Sequence, residues 1–108
     1  MNWIPITAEV QIDEIKSLSV IKPQVIFKHS TRCSISSVAM NRLERAATPD
    51  GVGFYFLDLI AHKDISNKIA ETFSVYHESP QVLLIKDGEC IFDESHSAIS
   101  MDEIVDQL

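Results

Sequence analysis

The sequence predicts an α/β domain: a four-stranded mixed sheet with helices on both faces and an extra N-terminal helix. Three observations carry that reading. Short apolar runs at residues 25–27, 54–59, 82–85 and 90–92 alternate with longer segments of helical period. One helical segment separates the first two runs, which favours a parallel pair closed by a right-handed crossover. The last two flank Lys86-Asp87-Gly88-Glu89, whose Asp-Gly pair is a hairpin signal and makes them antiparallel.

Each element has its own warrant. A first helix is expected over residues 8–20, with Ile12, Ile15 and Leu18 at near-helical spacing and Thr7 as its cap; Pro23 ends the segment. Val25-Ile26-Phe27 reads as a strand covered on both faces. Residues 34–47 place Ile35, Val38, Ala39, Leu43, Ala46 and Ala47 on one helical face, and Thr48-Pro49-Asp50-Gly51 stops that helix. Residues 54–59 are rich in aromatics, as strands are. A third helix over 64–73 turns Ile65, Ile69, Ala70 and Phe73 inward. The third strand, the hairpin and the return strand follow. A last helix opens on Ser100-Met101-Asp102-Glu103, a capping-box pattern, with Ile104, Val105 and Leu108 as its buried face. This order is the thioredoxin-like arrangement, expected as one domain over residues 1–108.

Bulk properties narrow the function. With 108 residues and 45% apolar composition the chain can bury a core. A formal charge of −7 opposes binding to nucleic acid or an anionic membrane, so neither is expected as a partner. No apolar run approaches the roughly 20 residues of a membrane helix. The start, Met1-Asn2-Trp3-Ile4-Pro5, lacks the basic and long apolar regions of a secretory signal, so a cytoplasmic location is expected. There, Cys33 and Cys90 are expected as free thiols rather than a disulfide. No paired Cys or His spacing suggests zinc.

The chemistry centres on Phe27-Lys28-His29-Ser30-Thr31-Arg32-Cys33-Ser34-Ile35-Ser36. Cys33 falls between a buried strand and the first turn of a helix, where unpaired N–H groups favour negative charge. A free thiol has a pKa of about 8.5, and such a setting can lower it to roughly 3.5–7.5. Lys28, His29 and Arg32 are read as a basic turn suited to an anionic thiol ligand, and His29 as a polar turn residue or a base. Ser36 occupies the position of a second cysteine; it can donate a hydrogen bond to the sulfur but cannot form a disulfide, which leaves monothiol chemistry resolved by an external thiol. In a thioredoxin-like fold Pro80 of Glu78-Ser79-Pro80-Gln81 is expected to be cis and to face the cysteine, leaving the Ser79 backbone free for an extended substrate. Cys90 is read as packed, Trp3 as a packing anchor, and His62, His77 and His96 as loop residues without common spacing.

These residues, with Ser79-Pro80-Gln81, resemble the YtxJ-like monothiol bacilliredoxins, thioredoxin-fold proteins of the bacillithiol redox system, over nearly the whole chain. The family motif usually reads Cys-Pro-Ile-Ser; here Ser34 replaces the proline, a residue suited to a first helical position. The resemblance implies reversal of mixed disulfides between proteins and bacillithiol. Cys33 would attack and accept the small thiol, and another thiol or a disulfide reductase would resolve it. S-thiolated proteins are then the partners and a bacillithiol-like thiol the co-substrate, with no resident cofactor. Other cysteine chemistries fail on spacing: Ser30 stands where a peroxiredoxin-type Thr-x-x-Cys needs threonine, and Ala39 where a Cys-x5-Arg loop needs arginine. A non-catalytic binding module and a redox sensor modified at Cys33 are the alternatives.

Overall fold

The computed structural model describes residues 1–108 and contains a five-stranded sheet. Strands β1 (Ile4–Pro5), β2 (Gln24–His29), β3 (Gly53–Asp58), β4 (Gln81–Lys86) and β5 (Glu89–Ser95) lie in the order β1-β3-β2-β4-β5. β3 runs parallel to both β1 and β2, while β4 is antiparallel to both β2 and β5. The four expected strands are present with the expected directions. β1 is additional: it has two residues, too few to show a period, and its proline lacks an N–H, which an edge tolerates. The Ile6 N–H extends the pairing to the Phe56 carbonyl at 2.8 Å.

Helices α1 (Val10–Leu18) and α3 (Lys63–Phe73) cover one face of the sheet; α2 (Ser34–Arg45) and α4 (Met101–Asp106) cover the other. The alternation of side chains along each strand decides which face a residue serves. Ile26, Leu83 and Leu57 pack with Ile12, Ile15 and Ile69, whereas Phe27, Phe54 and Leu84 pack with Leu43 and Ile104. Trp3 anchors the N-terminal segment on the second face, with ring centroids 5.7 Å from Phe27 and 6.1 Å from Phe54. No helix is long and apolar enough to cross a membrane.

The hairpin turn is built as its sequence demands. Asp87 (φ 52°) and Gly88 (φ 80°) both take the left-handed region that a two-residue type I′ turn requires. Ser19, buried just beyond α1, accepts both turn amides: its carbonyl takes Asp87 N–H at 3.0 Å and its Oγ takes Gly88 N–H at 2.8 Å. The turn is thereby tied to the helix layer.

Several expectations about helix faces are corrected. Thr7 does not cap α1; the Gln11 side chain reaches back instead, its Oε1 accepting from the Thr7 and Ala8 N–H groups at 2.7 and 3.0 Å. Leu18 is exposed, because α1 ends there. In α2 the buried side is Ser36, Ala39 and Leu43, leaving Ile35 and Val38 49% and 56% exposed. Ser100 Oγ caps α4 as expected, accepting Glu103 N–H at 3.3 Å, but Met101 and Ile104 are the buried residues and Val105 and Leu108 are exposed.

Candidate active site

β2 ends at His29, and Ser30-Thr31-Arg32-Cys33 forms a turn closed by Cys33 N–H donating to the Ser30 carbonyl at 3.1 Å. Cys33 takes the N-cap position of α2 with extended dihedrals (φ −109°, ψ 120°), and its carbonyl accepts the first intrahelical bond from Ser37 N–H at 3.1 Å. Cys33 is half-buried and carries a free thiol; Arg32 beside it is exposed. The strand–turn–cysteine–helix order read from the sequence is therefore present. The unpaired N–H groups of the first helical turn converge near this end, where they favour negative charge.

Ser36, one turn along, is fully buried, and its hydroxyl does not bond to the Cys33 sulfur. Ser36 Oγ accepts from Ser30 N–H at 3.0 Å and lies 2.6 Å from His29 Nδ1. Burial pushes His29 below the ordinary histidine range, partly countered by the Asp58 and Glu44 carboxylates, so the ring is neutral at pH 7. The Ser36 hydroxyl, with one lone pair taken by Ser30 N–H, keeps both a proton and a second lone pair for Nδ1, and the ring tautomer sets which of the two donates. His29 is held between Phe27 and Phe56, with ring centroids 5.7 and 5.6 Å away. Ser36 thus pins the Ser30–Cys33 turn to the end of β2, and His29 fixes Ser36.

The expected basic turn is corrected. β2 runs two residues past its last apolar side chain, pairing Lys28 with both Leu57 and Gln81, and His29 with Asp58. Alternation then sends Lys28 and His29 to opposite faces. Lys28 is fully buried against α3, its Nζ donating to the Ser66 carbonyl and to His77 Nδ1, each at 3.4 Å. Burial pushes its pKa down to about 8, a shift only partly opposed by Cys90. Lys28 and His29 are therefore both buried, and of the three basic residues only Arg32 is exposed.

Ser79-Pro80 reaches the same end of the sheet. The antiparallel Lys28–Gln81 register brings it beside the end of β2 from which the Cys33 turn departs. The Ser79–Pro80 peptide is cis, as expected, and Pro80 is buried. The Ser79 backbone makes no hydrogen bond within the chain, and its buried Oγ has no partner. Gln81 braces the loop from beneath: its Nε2 donates to the Tyr76 carbonyl at 3.0 Å and to Asp93 Oδ2 at 3.4 Å, while its Oε1 accepts Glu78 N–H at 3.4 Å.

Sequence spacing gives no sign of His96. The pairing of Gln81 with Ser95 delivers it here, its N–H bonded to the Pro80 carbonyl at 3.0 Å and its Nε2 3.5 Å from Glu78 Oε2. Cys90 lies at the other end. It pairs with Ile85, which pairs with Gln24 at the start of β2, and it packs on the α1/α3 face. Its thiol donates to the Phe92 carbonyl at 3.3 Å, and burial pushes its pKa up to about 11.

A family model described as "Monothiol bacilliredoxin BrxC" matches residues 4–104. Among solved structures, a thioredoxin-fold protein given as a candidate oxidoreductase superposes with a TM-score of 0.84 at 25% identity, over 95% of this chain and 90% of that one. A thioredoxin from Malassezia sympodialis matches at 0.75 and 19% identity, over 98% and 87% of the two chains. Mitochondrial thioredoxin 3 from Saccharomyces cerevisiae matches at 0.72 and 19%, over 98% and 95%. The two thioredoxins establish the fold alone.

Proposed function

Because the chain belongs to the monothiol bacilliredoxin family, we propose that it is a one-cysteine thiol–disulfide oxidoreductase that removes a bacillithiol-like thiol from S-thiolated proteins in the cytoplasm. One observation carries the reading furthest. Cys33 is half-exposed at a helix start, the residue one turn on is a buried serine, and Cys90 sits at the opposite end and face of the sheet. A single working thiol with no internal resolver is the chemistry this supports.

In the first step the Cys33 thiolate attacks the small-thiol sulfur of the mixed disulfide. A Cys33–small-thiol disulfide forms, and the protein thiolate leaves and takes a proton from water. No electrons are gained or lost overall in that exchange. In the second step an external thiolate attacks the small-thiol sulfur, so Cys33 departs as a thiolate. The two external sulfurs are then joined as a disulfide, and the external thiol supplies the reducing electrons. The free Ser79 backbone groups are suited to hold an extended substrate segment beside Cys33.

Intact-mass analysis after incubation with oxidised bacillithiol and oxidised glutathione in parallel tests the reading. One adduct per chain at Cys33, released by added thiol, is expected, with bacillithiol preferred. No adduct from either disulfide would overturn it. An adduct that no thiol releases would point to a sensor instead.

A further inference from the structure

The outward face of α2 exposes apolar side chains to solvent. Its apolar residues Ile35 and Val38 are about half exposed rather than buried. They line a hollow of ≈ 160 Å³ with Arg42, His96 and Ser97. Val38 and Arg42 also belong to a second hollow that continues to Asn41 and Arg45. Residues 35, 38, 42 and 45 recur at helical spacing, so the two hollows form one strip along the helix. Arg42 Nη1 fixes the far wall by donating to the Ser97 and Ile99 carbonyls at 2.9 and 3.1 Å.

Charge gives the strip a direction. All three arginines of this −7 chain, Arg32, Arg42 and Arg45, lie on α2 or immediately before it. Arg32 and Arg45 make no ion pair, and at the far wall His96 Nε2 lies 3.5 Å from Glu78 Oε2. Glu44, the one acidic residue of α2, accepts a hydrogen bond from Trp3 Nε1 at 3.2 Å. From Cys33 to Arg45 the strip is about 18 Å long at 1.5 Å per residue, longer than a small thiol. We infer that this strip docks an acidic protein segment that seats one apolar side chain against Ile35 and Val38 while presenting its disulfide to Cys33. The inference rests on the exchange reading above and names the chemistry of its protein partner. An acidic partner would be repelled by most of this surface and drawn to this strip.

The test uses ten-residue peptides, each carrying one cysteine as a mixed disulfide with 2-mercaptoethanol. One is acidic with a leucine near the cysteine, one is acidic with serine for leucine, and one has lysines for the acids. Their rates of reaction with Cys33 are compared with that of bis(2-hydroxyethyl) disulfide, which is too small and neutral to use the strip. The acidic leucine peptide is expected to react about fivefold faster than the lysine peptide, and the gap should close between about 20 and 300 mM salt. Arg45→Glu should abolish the charge preference and Val38→Ser the leucine preference, with the bis(2-hydroxyethyl) disulfide rate kept within about twofold. Equal peptide rates in the unmodified protein, or variants that slow the small disulfide as much as the peptides, would overturn the docking strip. Failure of Cys33 to react with any of these disulfides would instead overturn the exchange reading itself.

Discussion

Ser36→Ala offers the sharpest test of how the site is held. The hydroxyl it removes is fully buried and satisfies two groups, Ser30 N–H at 3.0 Å and His29 Nδ1 at 2.6 Å. His29 is itself buried, so its Nδ1 loses its partner with no ready access to water; Ser30 is half-buried and can be partly hydrated. An unsatisfied buried polar group costs about 1–3 kcal/mol, and with the Ser30 N–H partly hydrated and so at the low end of that range the two together cost about 2–3 kcal/mol. In a domain of this size that corresponds to a fall in Tm of roughly 10–20 °C. Ser37→Ala is the control: Ser37 is exposed, its hydroxyl makes only a 3.4 Å contact with the Cys33 carbonyl, and a change within about 0.5 kcal/mol is expected. Urea unfolding followed by Trp3 fluorescence reports both, since the single tryptophan packs against Phe27 and Phe54 in the same layer. A His29→Phe cycle should show coupling of about 1 kcal/mol with Ser36→Ala. If Ser36→Ala melts within a few degrees of the parent, or the two substitutions add independently, the proposed network does not hold the turn.

Further consequences are open to simple measurement. Lys28→Met should stabilise the protein by about 1–3 kcal/mol at pH 7, because it removes a buried cation without a carboxylate partner. The folded pKa of about 8 lies below the unfolded 10.5, so Lys28 weakens the fold fully below pH 8. That penalty fades as pH rises from 8 to 10.5, and the advantage of Lys28→Met should shrink over the same interval; an unchanging gap in urea midpoints would contradict it. Iodoacetamide at neutral pH should modify Cys33 alone, since the Cys90 thiol is packed and held protonated with a pKa of about 11. Peptide mapping that finds Cys90 labelled at a comparable rate in the folded chain would refute this. Ser34→Pro should be tolerated: Ser34 is the first residue of α2, and Cys33 already has the extended dihedrals that a residue before proline prefers. A gain of about 0.4–1 kcal/mol is expected, and a loss of stability by calorimetry would show the turn geometry to be different.

Local signals predict the structure where the physics is local. The Asp87-Gly88 turn needs two residues able to take positive φ, and both do. Cys33 stands at a helix start because the apolar run stops at a hydroxyl-rich turn and a helical period begins after it. Local signals mislead where the far side of a contact decides the outcome. Lys28 and His29 look like turn residues when a strand is ended at its last apolar side chain; their pairing with Leu57, Asp58 and Gln81 keeps them in the sheet. Ile35 and Val38 fit an apolar helical face, yet the sheet meets the helix along Ser36, Ala39 and Leu43. A buried serine and two exposed aliphatic residues invert what composition suggests.

The sequence by itself determined the order of the four longer strands and the four helices, the helix-start position of Cys33 and the serine, rather than cysteine, one turn after it. Those depend on residue type and on spacing within a few positions, which the chain carries wherever it folds. Tertiary structure alone decided that Ser36 bonds to His29 rather than to sulfur, that Lys28 turns away from the site, and that His96 comes to rest beside Pro80. Each of those depends on strand register between segments far apart in sequence. With a side-chain period of two, register and strand ends set which face every residue serves.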